Sequence, residues 1–167
     1  AYTDSLNTTY IPYAELPVET IDREVKDFYQ NLPKEVGLVS PQNYQCPKFF
    51  TFTPLYSSVG VLGSMGPFFA EAQLNRDLLP VQLPFTYAHE FSHLLGVSNE
   101  AEANYWAYRA CTESDVQTMR YSGYMGLLPY AFLFLKQDFY ILPFNTPPLI
   151  RLMIFFQTIN ALVSRFN

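Results

Sequence analysis

The chain has 167 residues, of which 49% are hydrophobic and 17% aromatic, whereas only 15% are charged against roughly 25% in an ordinary soluble domain. This composition excludes an intrinsically disordered chain, and the length favours one domain over residues 1–167. Ten basic and fifteen acidic residues give a formal charge of -5 without any basic cluster, which argues against nucleic acid as a partner.

The first predicted element is an amphipathic helix. Apolar residues recur every three or four positions from Val18 to Leu32, with charged residues between them, so one face of the helix is expected to lie on a core. Pro17 marks its start, because a missing N–H costs nothing there, and Pro33 ends it.

Strands are expected next along the chain. The segments Lys48–Thr53, Val59–Leu62 and Pro67–Leu74 have strand-like patterns, and the last two are joined by a predicted glycine-rich turn at Gly63–Gly66. A proline at the start of the third segment is typical of an edge strand, because proline cannot donate to a neighbouring strand.

The pattern changes to helical at Pro84 and stays so, with interruptions, to the end of the chain. A small N-terminal sheet with one helix, over about 1–80, followed by a mainly helical half over about 84–167, predicts an α+β fold. The longest uncharged apolar run in the last third, Tyr121–Leu135, falls short of the roughly 18 to 20 residues that cross a bilayer. The later apolar runs, 139–150 and 152–164, are shorter and predict buried helices or interfacial segments.

Both histidines of the chain lie in the sequence His89-Glu90-Phe91-Ser92-His93, which is the pattern H-E-x-x-H. Random order would give this pattern on the order of once in a thousand chains of this composition. On a helix, positions i and i+4 share one face, so His89 and His93 can bind one metal ion at about 2.0 to 2.1 Å. Glu90 would stand beside that ion, where it could take a proton from a metal-bound water and deliver it to a leaving amine.

The flanking residues support a helix at this motif. A helix over Pro84–Leu95 is predicted to end at Gly96, where a left-handed residue would turn the chain sharply. Ser98 or Asn99 is then expected to cap a second helix, with Asn99 and Glu102 in the spacing of a capping box.

A third metal ligand cannot be a histidine, because the chain has no other. Glu100 is favoured on helix facing, and Asn104 lies one turn later on the same face, where its amide could hold the carboxylate or a ligand. Glu102 is the main alternative, and Glu71 and Cys111 also remain open.

Groups that could polarise a substrate carbonyl are less well defined by the sequence. Arg120, Tyr121 and Tyr124 are candidates for this role. Thirteen tyrosines are scattered along the chain, however, and core packing is the commoner role of an aromatic residue.

The motif His89–His93 followed by Glu100-Ala101-Glu102-Ala103-Asn104 resembles the gluzincin metallopeptidases. In particular, it resembles the membrane-type peptidases related to the CAAX prenyl protease, whose third ligand opens an E-x-x-A-D/N motif. The longer stretch from Gly66 to Tyr124 is similar to an uncharacterised bacterial zincin family whose full-length members carry transmembrane helices ahead of this domain.

This resemblance implies a zincin fold, in which the active-site helix lies beneath a mixed sheet whose edge strand, here Pro67–Leu74, binds the substrate main chain. It also implies one Zn²⁺ held by His89, His93 and Glu100, with Glu90 as general base and acid, and a peptide or protein substrate. Membrane association would come from segments outside this chain, and the oligomeric state is open. Glu100 follows His93 by seven positions, less than in most gluzincins, which leaves the substrate class open. The alternative function is a catalytically inactive, zinc-binding and membrane-associated regulatory or scaffold domain.

Overall fold

The computed structural model describes residues 15–66 and 71–141, with the backbone alone for 131–141. Within these residues the protein is α+β, as the sequence predicts, with five α-helices, a short 3-10 turn at Lys34–Val36 and one small sheet. In chain order the elements are α1 (Val18–Gln30), β1 (Lys48–Phe49), α2 (Thr53–Ser58), β2 (Gly63–Gly66), β3 (Glu71–Leu74), α3 (Leu83–Leu94), α4 (Glu100–Thr112) and α5 (Gln117–Ile141). The first part of the predicted strand at 67–74, and the apolar segments after residue 141, lie outside the described residues.

The sheet is mixed and has the strand order β1-β3-β2. β1 pairs with β3 in parallel, whereas β2 pairs with β3 in antiparallel, with Gly63 opposite Leu74 and Gly66 opposite Glu71. β3 is therefore the central strand, and the prediction of an edge strand at Pro67–Leu74 is wrong for its described part. That prediction depended on Pro67, which precedes the paired residues and so does not interrupt the pairing of β3.

One other strand prediction is wrong, the predicted turn is also wrong, and a third prediction is correct only in part. Val59–Leu62 is not a strand, because α2 occupies the preceding residues and Gly60, with a φ of 74°, turns the chain after it. The predicted turn at Gly63–Gly66 is itself strand β2. The strand predicted at Lys48–Thr53 ends at Phe49, because Thr53 already begins α2.

The helix α1 agrees closely with its prediction. The helix begins directly after Pro17 and ends at Gln30, two residues before the predicted limit. Its apolar face is buried at Ile21, Val25 and Tyr29, and the Tyr29 hydroxyl donates a 3.0 Å hydrogen bond to the carbonyl of Ala88. This bond ties α1 to the centre of α3, directly before His89.

The helix α3 lies at the centre of the fold, because it contacts β2, β3, α1 and α4. Phe91 and Ser92, in the middle of the motif, are completely buried. The helix ends at Leu94 and the chain turns at Gly96, whose φ is 110°, as predicted. Asn99 caps α4, accepting hydrogen bonds from the backbone N–H groups of Ala101 and Glu102 at 2.9 and 3.1 Å.

The helix α5 packs against the start of α3 through small residues. The Ser122 hydroxyl accepts a 3.1 Å hydrogen bond from the Phe85 N–H, which has no partner within its own helix.

None of the described helices is long and apolar enough to span a membrane. The chain divides into two compact units after Gly126, so the predicted single domain over 1–167 stays a prediction.

Candidate metal centre

His89 and His93 lie one turn apart on α3, and their rings face the same cleft. The two Nε2 atoms are 3.2 Å apart, and each side chain is 13% exposed. The sequence predicted this shared face from the i and i+4 spacing, and the structure brings the two rings together.

The opposite ring nitrogen of each histidine faces an oxygen atom. His89 Nδ1 lies 2.9 Å from Oδ1 of Asn104, and His93 Nδ1 lies 2.6 Å from the carbonyl oxygen of Val97. Because a carbonyl oxygen can only accept, each Nδ1 donates its proton, and the lone pair of each neutral ring is then on Nε2. Two Nε2 lone pairs therefore face one another without a proton between them, an arrangement that a cation would satisfy.

Glu100 completes a group of three ligand atoms. Its Oε2 lies 3.2 Å from Nε2 of His89 and its Oε1 lies 3.5 Å from Nε2 of His93. Bonds of about 2.0 to 2.2 Å in a tetrahedral zinc site would put neighbouring ligand atoms about 3.3 Å apart. These three residues could therefore hold one metal ion with little rearrangement, and their nitrogen and carboxylate donors suit zinc.

The charge state of His89 favours metal binding. Burial lowers its pKa and the neighbouring His93 lowers it further, while Glu100 and the hydrogen bond to Asn104 act in the opposite direction. The result is a pKa below the ordinary value of a histidine. Since a metal ion binds only the neutral imidazole, this shift reduces the competition from protons.

Glu90 is buried beside this group and is not one of the three ligands. Its residue is only 8% exposed, and burial raises its pKa to about 7, with a lowering contribution from His93 and a raising one from Glu100. A carboxyl group with a pKa near neutrality can both accept and return a proton at physiological pH. The sequence predicted this role from the position of Glu90 in the motif, but it could not predict the burial.

These groups open into a cleft of about 560 Å³. Its walls are β2, the exposed side of α3, the turn after α3 and the first residue of α4; the lining residues are Gly63, Ser64, Met65, His89, Glu90, His93, Gly96, Val97, Ser98 and Glu100. The cleft is large enough for part of a peptide chain but not for a folded domain.

The other candidate ligands lie away from the cleft. Glu102 accepts a 3.3 Å hydrogen bond from the indole N–H of Trp106, and Glu71 pairs with Gly66 in the sheet. Cys111 is completely buried, which raises the pKa of its thiol well above the ordinary value. Among the described residues, only Glu100 joins the two histidines.

Of the two roles expected of Asn104, holding the Glu100 carboxylate or holding another ligand, the structure shows the second. Its amide contacts the ring of His89 rather than the carboxylate of Glu100.

The candidates for polarising a carbonyl, Arg120, Tyr121 and Tyr124, are not among the residues that line the cleft. The backbone oxygen of Val97 carries no sequence signal, so its contact with His93 could not be predicted.

One protein family, described as "Protein of unknown function (DUF3810)", matches residues 2–138 of the chain. No curated protein and no solved structure matches the chain significantly. The family description assigns no activity to its members.

Proposed function

Since the chain belongs to the family described as "Protein of unknown function (DUF3810)", which names no reaction, we propose from its cleft that it is a zinc-dependent metallopeptidase of the gluzincin type. One observation carries the proposal: two Nε2 lone pairs and a carboxylate converge within 3.5 Å, and a buried glutamate lies next to them. In the H-E-x-x-H pattern, this combination is typical of zinc peptidases.

His89, His93 and Glu100 would hold one Zn²⁺. The hydrogen bonds from the two Nδ1 atoms fix the ring orientations before any ion arrives, which lowers the entropic cost of binding. A bound zinc would supply Lewis-acid chemistry, since it polarises a carbonyl and lowers the pKa of water to about 7.

Glu90 would move the proton during hydrolysis. In our proposal its carboxylate takes a proton from the attacking water, which adds to the carbonyl carbon of the scissile peptide bond. The protonated Glu90 then gives this proton to the leaving nitrogen, so the side chain returns to its initial state. A pKa of about 7 suits both transfers, because neither form of the group is strongly favoured near neutral pH.

The substrate would be an extended peptide segment. β2 is at the edge of the described sheet and lines the cleft, so its outer N–H and C=O groups are available for pairing with a peptide backbone. β2 therefore replaces Pro67–Leu74 as the proposed substrate-binding edge.

The test combines metal content with hydrolysis of a peptide library. We expect about one zinc per chain in the wild type and in Glu102→Gln, and a loss of zinc in Glu100→Gln, because Glu100 faces the two histidines whereas Glu102 contacts Trp106. Glu90→Gln should keep the zinc but lose turnover, since an amide cannot accept the proton of water. Elemental mass spectrometry of the purified proteins measures the zinc, and cleavage products are measured on the same samples.

Two results would contradict the proposal. A Glu90→Gln variant with full activity would exclude the mechanism, and a wild type without zinc after reconstitution would exclude the metal site. Zinc without cleavage of any peptide would instead favour a catalytically inactive, zinc-binding regulatory or scaffold domain. Membrane association through segments outside this chain stays a prediction of the resemblance.

A further inference from the structure

Gly63, the first residue of β2, lies in unusually close contact with Glu90. A Cβ atom built on Gly63 would lie 2.8 Å from both Cγ and Oε1 of Glu90, and 3.0 Å from Cγ2 of Thr86. Carbon atoms in ordinary van der Waals contact are about 3.5 to 4.0 Å apart. The carboxyl group of Glu90 therefore occupies space that any other residue at position 63 would fill.

The backbone conformation does not explain this glycine. Positive φ angles occur at Gly37, Gly60 and Gly96 but not at Gly63, which has the extended conformation of a strand. An alanine at position 63 would thus be free of backbone strain. Glycine is required at position 63 because of the contacts with the side chains of Glu90 and Thr86.

Neither β2 nor α3 can easily move away from this contact. Gly63 pairs with Leu74, which is completely buried, and the backbone N–H of Asn75 donates a 2.9 Å hydrogen bond to Leu62 directly before β2. On the other side, the backbone of Glu90 belongs to the central helix α3. The most mobile part is the end of the Glu90 side chain, so a methyl group at position 63 would displace the carboxyl group first.

We propose that Gly63 is a positioning residue. Because it has no side chain, it leaves room for the carboxyl group of Glu90 to stay at the cleft. The contact itself is independent of any reaction, but its consequence for turnover rests on the proposed peptidase function. The proposal predicts that Gly63→Ala moves the Glu90 carboxyl group while the fold and the three metal ligands stay in place.

Gly66 provides a matched control at the other end of β2. A Cβ atom there would lie 3.2 Å from Nε2 of Gln73 and 3.4 Å from the backbone oxygen of Glu71, without any contact to Glu90. Gly66→Ala therefore makes the same chemical change in the same strand but leaves the Glu90 carboxyl group undisturbed.

The primary measurement is the ¹³C resonance of the Glu90 carboxyl carbon in metal-free protein, assigned by its loss in Glu90→Gln. At one fixed pH, this resonance should move in Gly63→Ala and stay at the wild-type position in Gly66→Ala. Zinc content after reconstitution should be equal in all three proteins. An unchanged resonance in Gly63→Ala, or an equal change in both glycine variants, would overturn the proposal.

A second measurement covers the possibility that Gly63→Ala is too unstable to study. In Glu90→Asp the side chain is one methylene shorter, so adding Gly63→Ala should lower the Tm less than it does in the wild-type background. A double variant that folds where the single variant does not would agree with the proposal. Equal losses of Tm in both backgrounds, or failure of both to fold, would show that the strand itself requires glycine.

Hydrolysis separates this inference from the proposed function. If the wild type cleaves peptides, kcat of Gly63→Ala should fall by roughly a hundredfold with little change in KM, because the base is misplaced but the substrate edge is intact. If the resonance moves in Gly63→Ala but the wild type cleaves no peptide, the peptidase function is contradicted and the positioning role is supported. If the wild type cleaves peptides but the resonance does not move, the peptidase function is supported and the positioning role is contradicted.

Discussion

At Glu90, the burial that suits the group for proton transfer also costs stability when no metal is bound. The carboxyl group has a pKa of about 7 in the folded chain, against 4.5 without burial. Between these values the folded state retains a proton that the unfolded state has lost. The free energy of unfolding should therefore fall as the pH rises from 4.5 to 7, by about 3 kcal/mol at most.

The matching variant is Glu90→Gln, which is neutral at every pH. Its stability relative to the wild type should increase between pH 4.5 and pH 8 in metal-free samples, because only the wild type loses the contribution of Glu90. Urea unfolding of both proteins at these two pH values, with a chelator present, measures the difference. A difference that is independent of pH would show that Glu90 is not a buried carboxyl group with a raised pKa.

At the scale of single elements, the close approach of α5 to α3 depends on Gly126. A Cβ atom at this position would lie 2.3 Å from Cγ of Phe85, far closer than van der Waals contact with the ring allows. Gly126→Ala should destabilise the protein by about 1 to 3 kcal/mol, as overpacking does in other cores. Thermal unfolding measures the effect, with the exposed Gln117→Ala in the same helix as control.

A compensating change distinguishes overpacking from a general effect on helix α5. Phe85→Leu removes ring atoms at the contact, so Gly126→Ala should cost less in that background than alone. Equal costs in both backgrounds would mean that the Phe85 ring moves aside freely and that the contact does not limit the packing.

Glycines also explain where the element predictions succeed and fail. Gly96 ends α3 as predicted, because a left-handed residue after a helix is a local feature that sequence spacing reveals. Gly63 and Gly66 were predicted to form a turn, but they belong to β2, where the absence of a side chain permits close packing. The close packing at Gly63 involves Glu90, which is distant in sequence and could not be paired with Gly63 from local patterns.

The candidate site was easier to predict than the sheet. Helix periodicity puts His89 and His93 on one face, and helix facing after the cap at Asn99 favours Glu100 over Glu102 as the third ligand. The sheet order requires knowledge of which strands pair, and Pro67 suggested an edge at a strand that is central. The contact of His93 with the Val97 carbonyl was equally inaccessible, because every residue has a backbone oxygen.

At the scale of the whole molecule, the proposed ligands join α3 to α4, two helices with extensive mutual contacts. A metal ion that binds only the folded state should therefore stabilise the compact unit that contains both helices. At a zinc concentration of about 100 times Kd, the expected gain is about 2.7 kcal/mol. Differential scanning calorimetry should show a higher Tm with zinc for the wild type and no change for His93→Ala, whereas an equal rise in both would indicate binding elsewhere.

The unequal exposure of the three proposed ligands has a kinetic consequence. The histidine side chains are 13% exposed and hydrogen-bonded, whereas the side chain of Glu100 is 76% exposed. An ion could exchange with solvent past Glu100 without any opening of the core, and in the metal-free protein the rotation of this exposed side chain takes picoseconds to nanoseconds. Once this exchange reaches equilibrium, occupancy of the site would follow the concentration of free zinc around the protein.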